Sequence, residues 1–533
     1  MTTTTPTMDA LLDDAARQWP GKMALNFPAL DRSLTFGELR TWVDHTTAFL
    51  FEHGIAQGKK VAILLQNRPE STILWLAAAK LGAAVVPVNS RYAADEVEYV
   101  LEHSEADILI TEPTFRPILT DVSTEVTVVD YCELSNTSAS FPPIGANVSG
   151  DTVLNVQYTS GTTSRPKGCL LTHDYWLRIA EEMTRPDEDG STEVAIRHED
   201  HMLIAQPMYY MDPFWHIATI LRAGATLTIL DGFHPSTFWA DIRRHHITIF
   251  YCLGAMPTLL LKMPETGDDK NHSVRAILCS AIPPRRHQEL EDRWGAPWYE
   301  LYGMTETGVD IRVRARDHDA AMATTCIGKA GVGREATILD SNGVTMTKGE
   351  VGELALRGRS LMLGYFRDPE NTSATIDANG WLHTGDLAWM DTDGNVHYEG
   401  RKKQMIRRAG ENISAAQVEE VLMLHPAVGN AACVPVADDL RGEEVFAFVQ
   451  PANAAVLPAS DLAAFARQHL AVFKVPRFWM FVDQMPTTPS ERVAKTALVD
   501  QTLAQDRVFD SAAHRWVPNP FQLQHEAPDV TVN

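Results

Sequence analysis

The residues best suited to chemistry lie in one stretch, Tyr158-Thr159-Ser160-Gly161-Thr162-Thr163-Ser164-Arg165-Pro166-Lys167-Gly168. Hydroxyls and glycines crowd a short segment that closes on a lysine, with apolar Val153-Leu154-Asn155-Val156 before it and Cys169-Leu170-Leu171 after it. Such a segment cannot build a core. It can turn backbone N–H groups and hydroxyls toward an anion while Lys167 adds a full charge. It is not the common nucleotide P-loop, because Pro166 stands where that pattern needs Gly and Gly168 follows the lysine instead of Ser or Thr. Taken alone, a Ser/Thr/Gly cluster reads more simply as a solvated turn between strands. The motifs farther along the chain argue against that simpler reading.

In Tyr302-Gly303-Met304-Thr305-Glu306-Thr307, an aromatic ring beside a glycine can flank a base, a threonine can donate to a phosphate and a carboxylate can hold Mg²⁺. Gly380-Trp381-Leu382-His383-Thr384-Gly385-Asp386 ends on a carboxylate suited to accepting two ribose hydroxyls, although alone it reads as a plain turn. Gly400-Arg401-Lys402-Lys403 is a basic turn, and a solvated role is the simpler one for Lys402. Gln206-Pro207-Met208-Tyr209-Tyr210-Met211-Asp212-Pro213-Phe214-Trp215 is dense in aromatics. Other patterns fail. His198-Glu199-Asp200-His201 lacks the zinc-protease spacing, Gly328 to Gly333 is no dinucleotide fingerprint, and no GxSxG elbow occurs.

In this order and over most of the chain, the motifs resemble the adenylate-forming superfamily: acyl-CoA synthetases, firefly luciferases and the adenylation domains of peptide synthetases. The resemblance implies that Thr159, Ser160, Gly161, Thr162, Thr163 and Lys167 grasp the phosphates of ATP. It implies Ser280 and Ala281 along adenine, with Tyr302 and Gly303 nearby, Thr305 on the phosphates and Glu306 on Mg²⁺. Asp386 and Arg401 are then the ribose residues, Lys403 the hinge of a mobile small domain, and Gly410 part of the pantetheine tunnel of coenzyme A. Arg407 and Arg408 could meet a phosphate of coenzyme A, or be solvated charges. Tyr209, Tyr210, Trp215, Gly254, Ala255 and Met256 fall where the family lines its acyl pocket. The aromatics with Asp212 could cage a quaternary ammonium, or pack against an aliphatic or aromatic acid. The stretches 206–262 and 401–414 look like the crotonobetaine/carnitine-CoA ligase branch.

One departure concerns the closing signature, where the family carries Ser/Thr-Gly-Lys. Here the chain reads Thr488-Pro489-Ser490-Glu491-Arg492-Val493-Ala494-Lys495. Arg492 falls at the lysine position and keeps the charge with a bulkier fork, and Lys495 could reach instead. The implied activity is ligation of a carboxylic acid to coenzyme A through an acyl-adenylate, with release of pyrophosphate and AMP. Two rivals stand beside it: delivery of the acyl group to a carrier protein or amine, and a non-catalytic nucleotide-binding relative.

The elements that would position these residues follow from pattern. With 533 residues the chain is too long for one ordinary domain. Hydrophobic content of 45% and charged content of 22% are those of a soluble globular protein, and a net charge of -23 argues against nucleic-acid binding. The Thr-rich start with Asp9, Asp13 and Asp14 is no signal peptide, and no apolar run of about 18 residues predicts a membrane helix. Six cysteines without a CxxC pair suit reduced thiols in cytoplasm.

Thr35-Phe36-Gly37-Glu38 is a capping box before a helical run closed by Gly54, and Val61 to Leu65, Ala84 to Val88, Ile108 to Ile110 and Val126 to Val129 read as strands. Strands alternating with helices predict doubly wound parallel α/β sheets. Gly254-Ala255-Met256 and Ser280-Ala281 lie at strand ends, where open sheets bind ligands. Residues 183–200 read as an exposed excursion. A β-rich subdomain is expected from about 325, and a capping box at Ser414 opens a compact α+β unit. The expected divisions are 1–402 for the large domain of two α/β subdomains plus the β-rich one, 403–510 for the mobile domain, and 511–533 for an extended tail.

Overall fold

A computed structural model describes residues 6–136, 147–159, 166–409, 411–438, 440–452, 457–487 and 493–525. Two compact units emerge. The first comprises Met1–Thr337, Ala355–His383 and Thr392–His397, and the second Ile338–Leu354, Thr384–Asp391 and Tyr398–Asn533. The chain passes between them inside the β-rich stretch, so the second unit draws in segments ahead of residue 402.

In the first unit, one sheet has the order Thr127–Asp130, Ile108–Thr111, Lys60–Leu64, Ala84–Pro87, Val153–Thr159, Lys167–Thr172. Five strands run parallel, and the last returns antiparallel to Val153–Thr159. Thr159 and Lys167, which bracket most of the Ser/Thr/Gly stretch, are therefore paired across antiparallel strands. Helix Pro69–Leu81 buries every residue except Lys80, which is why it shows no amphipathic stripe. Trp75 and Trp176 both donate their indole N–H to Asn155 Oδ1, at 2.8 and 3.1 Å, so this buried amide oxygen is satisfied.

The other sheet of this unit runs Met23–Phe27, Thr226–Ile229, His201–Ile204, Ile249–Leu253, Ala276–Ser280, Trp298–Met304, all parallel. Gly308–Arg312 then pairs antiparallel with Trp298–Met304, which makes Thr305-Glu306-Thr307 a hairpin turn. Helix Phe36–Glu52 starts at the predicted capping box, with Thr35 Oγ1 accepting from Glu38 N and Glu38 Oε2 from Thr35 N.

The second unit holds an antiparallel-rich sheet in the order Glu411–Ser414, Met405–Arg408, Gly442–Pro451, Phe478–Phe481, Arg507–Asp510, Arg515–Pro518, with Val428–Asp438 also on Gly442–Pro451. Helices Ala415–Met423 and Ala459–His469 bury Val418, Val421, Leu422, Leu462 and Ala466 against it, around Trp479.

Two expectations are corrected. Residues 183–200 are not an exposed excursion: Asp187 and Asp200 are buried, with Asp187 within 3.0 Å of Arg312 and Asp200 within 2.6 Å of Arg275. Acidic composition suggested exposure, but paired carboxylates can be buried. The stretch after 510 is not extended throughout, since Arg515–Pro518 forms a hairpin with Arg507–Asp510 and Pro520–His525 is helical, with Phe521 buried.

Candidate active site

Lys167 opens the return strand of the hairpin, and Ser160, Gly161, Thr162 and Thr163 fall outside the described residues. Thr159 ends the outgoing strand opposite Lys167. Lys167 Nζ donates to Asn371 Oδ1 at 2.8 Å and sits 4.9 Å from the centre of the Tyr365 ring. The hydroxyl of that same tyrosine donates to Glu306 Oε1 at 2.9 Å. Lysine and carboxylate, far apart in sequence, thus converge on one aromatic side chain. Burial, reinforced by the Glu306 charge, raises the Tyr365 phenol well above its ordinary range and keeps it a donor. Neither Tyr365 nor Asn371 is singled out by local sequence, because Gly364-Tyr365-Phe366 looks like any aromatic turn.

Glu306 is itself buried, and the backbone carbonyl of Thr305 accepts from Tyr175 Oη at 3.0 Å, which anchors the turn. Gly303 is required: a Cβ there would come 1.9 Å from the carbonyl oxygen of Gly308.

At the neighbouring strand end, Ala281 adopts φ 77°, a left-handed conformation costly for a residue with a Cβ. The cause is visible beneath it. Glu300 accepts from Ala281 N at 2.7 Å through Oε1 and from Ile282 N at 2.8 Å through Oε2. Burial outweighs these two donors and pushes the Glu300 carboxyl up to about 8. Ser280 donates to the Leu301 carbonyl and accepts from Tyr251 Oη at 3.0 Å. Side chains of Glu300 and Tyr251 therefore hold this turn, whose Ala281 is exposed. Sequence reasoning missed Glu300, whose role depends on the adjacent parallel strand.

The acyl-pocket residues divide. Gly254 and Ala255 are exposed and Tyr210 is half-buried, whereas Tyr209 and Met256 are buried. Trp215 is 1% exposed. Its ring stacks on His216 with 3.4 Å between centroids and meets Tyr251 edge-on, and its N–H reaches Asp212 Oδ1 at 3.4 Å. The ring is thus enclosed, with no face open to solvent. Tyr209 and Tyr210 remain together, 4.6 Å between ring centres.

Within the second unit, Arg401 Nε lies 2.7 Å from Asp386 Oδ1, so the two ribose candidates form one ion pair. Lys403 is exposed, while Lys402 pairs with Glu353 at 3.2 Å. Arg408 is not a solvated charge, being paired with Glu444 at 2.6 Å, whereas Arg407 is exposed. Lys495 begins a helix and pairs with Glu419 at 2.6 Å. Gly410 and Arg492 fall outside the described residues.

One further group, His287, Glu291 and His318, brings three donor atoms within 4.8 Å of one another. Its atoms are already engaged: Glu291 Oε1 accepts from Trp298 N and interacts with His318 Nε2, both at 2.7 Å, and His287 Nε2 lies 3.1 Å from the Trp298 carbonyl. It reads as a hydrogen-bonded brace.

Residues 12–366 match the family model described as AMP-binding enzyme, and residues 417–492 match that of the AMP-binding enzyme C-terminal domain. The crotonobetaine/carnitine–CoA ligase of Salmonella typhi is 29% identical over 512 residues, covering 91% of this chain and 97% of the relative. The structure of o-succinylbenzoate CoA synthetase from Bacillus subtilis in complex with its acyl-adenylate intermediate is 27% identical, with a TM-score of 0.82, covering 92% of this chain and 97% of that one. The same enzyme in complex with ATP and magnesium ion gives 27% identity and a TM-score of 0.82, covering 92% of this chain and 98% of that one.

Proposed function

The chain belongs to the AMP-binding enzyme family, and from that premise we propose which residues carry its two half-reactions and which acid it activates. It is an ATP-dependent, AMP-forming acid–CoA ligase that takes a carboxylic acid, ATP, Mg²⁺ and coenzyme A. In the first half-reaction a carboxylate oxygen bonds to the α-phosphorus of ATP and pyrophosphate leaves. In the second the thiol sulfur of coenzyme A bonds to the acyl carbon, AMP leaves and the thiol proton is released. Neither step needs a covalent enzyme nucleophile. The protein's work is to hold anions together and spread the developing charge.

Lys167, with Thr159 to Thr163, is our candidate for the phosphates. The single observation behind this assignment is the meeting of Lys167 and Glu306 at Tyr365. Glu306 supplies hard oxygen donors, and a buried carboxylate held by a neutral phenol suits Mg²⁺, with Thr305 the candidate on the phosphates. Bound there, the ion would draw negative charge from the phosphate oxygens. The Ser280-Ala281 turn, with Ala281 exposed, is the adenine candidate beside Tyr302 and Gly303. Asp386 and Arg401 are the ribose candidates, Lys403 the hinge, Gly410 the tunnel residue, and Arg492 or Lys495 the cation over the reacting carboxylate.

The proposed acid is of small to medium size and carries a cationic head. Asp212 would face that charge and the Tyr209–Tyr210 pair would offer aromatic surface. The enclosed Trp215 favours a second reading, a neutral aliphatic or aromatic acid. Six cysteines outside any disulfide, five of them buried, support a cytoplasmic setting, and among the described residues no helix is long and apolar enough to cross a membrane.

The test is pyrophosphate release with ATP and Mg²⁺ across betaine-type, short and medium aliphatic and aromatic acids, with and without coenzyme A. Turnover confined to betaine-type acids supports the cationic reading, and preference for neutral acids overturns it.

A further inference from the structure

One extended segment laces the two halves of the phosphate site together. Met362 N donates to the Glu306 carbonyl and Leu363 N to the Leu170 carbonyl, both at 2.9 Å. Leu170 N donates to Gly364 O at 2.9 Å and Phe366 N to Gly168 O at 2.7 Å. The backbone from 362 to 366 therefore runs beside the strand that begins at Lys167, and its first residue is bonded to the peptide of Glu306. Tyr365 stands at the centre of this lacing. Farther along, Asn371 accepts from Lys167 while its own amide donates to Asp368 Oδ2 at 2.7 Å, so the acceptor presented to the lysine is itself fixed at a helix start.

We propose that Tyr365 is a positioning residue for the magnesium carboxylate, its hydroxyl orienting Glu306 while its ring supports the Lys167 ammonium. A carboxylate rotates readily about its terminal torsion, and a buried donor on one oxygen removes that freedom before the cation arrives. Lys167 and Glu306 carry opposite charges and would otherwise draw each other out of position. The neutral phenol between them gives each a partner, a hydrogen bond for the carboxylate and a ring face for the ammonium. The inference rests on the reading of Glu306 as the Mg²⁺ ligand.

The decisive variant is Tyr365→Phe, which deletes the hydroxyl and keeps the ring beneath Lys167. Calorimetry would follow ATP binding in the absence of any acid, across a Mg²⁺ series, alongside thermal melting and pyrophosphate release. The expected result is metal-free ATP binding within twofold of wild type and a half-saturating Mg²⁺ concentration raised roughly tenfold, as for loss of an outer partner of a metal ligand. Excess Mg²⁺ should then restore the maximal rate. An unchanged Mg²⁺ requirement overturns the proposal, as does equal weakening of metal-free and metal-bound ATP, which marks a merely structural tyrosine. Glu306→Gln separates the premise from the proposal. If that variant keeps the wild-type Mg²⁺ requirement, Glu306 is not the ligand and the premise fails. If its requirement rises while that of Tyr365→Phe does not, Tyr365 alone is misassigned.

Discussion

Glu300 offers the sharpest perturbation of the turn proposed for adenine. Its two oxygens accept from Ala281 N and Ile282 N at 2.7 and 2.8 Å and hold Ala281 at φ 77°. Above about pH 8, where the Glu300 carboxyl is ionised, a hydrogen bond to it contributes about 1.5–3 kcal/mol, and a non-glycine residue in the left-handed region costs roughly 1–2 kcal/mol. Glu300→Gln keeps one acceptor but turns an amide N–H₂ toward the other backbone N–H, so one bond is lost. Release of the Ala281 strain would partly offset the loss, leaving about 1–2 kcal/mol, or roughly five- to thirtyfold in ATP affinity, if this turn lies along adenine.

The carboxyl is pushed up to about 8, which fixes the sign of the pH effect. Between the ordinary carboxylate range and about pH 8 the native state holds a proton that the unfolded chain has released, so Glu300 makes native stability fall as pH rises through that window. The ionised form is the one that accepts both N–H groups. ATP affinity should therefore rise with pH toward and past about 8 in wild type, and Glu300→Gln should flatten both profiles. Calorimetric ATP binding and urea midpoints between pH 6 and 9 read the two effects separately. Wild-type ATP affinity in Glu300→Gln with an unaltered pH profile would refute the reasoning.

Other outcomes follow from the same geometry. Asn371→Asp sets a carboxylate against the Lys167 ammonium and replaces the donor to Asp368 with a like charge, so pyrophosphate release should slow by about tenfold and the thermal midpoint should fall, kcat and melting being the checks. Trp215→Ala should cost about 3–5 kcal/mol in urea unfolding because the ring is fully enclosed, whereas Tyr210→Ala should stay within about 1 kcal/mol and shift the KM for the acid. The His318–Glu291 pair predicts a stability plateau with two edges. Burial alone would raise the Glu291 carboxyl, but hydrogen bonds from His287 and His318 pull it down to about 2, so its contribution is lost as pH falls from the ordinary range toward about 2. Hydrogen bonding to Glu291 raises His318, so that contribution is lost as pH rises through the raised value, and Glu291→Gln should flatten both edges in urea midpoints. Asp386→Ala removes the carboxylate paired with Arg401, and ATP KM should rise about tenfold in the pyrophosphate assay if the pair grips ribose.

Much of the architecture was legible because its causes are local. Alternation of apolar runs with turn residues marks Lys60–Leu64, Ala84–Pro87 and Ile108–Thr111 as buried parallel strands, and a side-chain cap such as Thr35 needs only the next three residues. Loop chemistry is local as well, so Lys167, Glu306, Ser280 and Asp386 stand out as candidates before any fold is known. What the tertiary structure alone decided is which of these groups meet and which are enclosed. Tyr365 reaches Glu306 across 59 residues and Glu300 reaches Ala281 across a strand pairing, neither of which leaves a periodic trace. The enclosure of Trp215 likewise depends on its packing against His216 and Tyr251. Asp187 and Asp200 look solvated until arginines distant in sequence, Arg312 and Arg275, neutralise them. Hydropathy reports the average environment of a residue type. The partner that makes a buried charge tolerable, or a carboxylate well aimed, comes from elsewhere in the chain, and only folding brings it there.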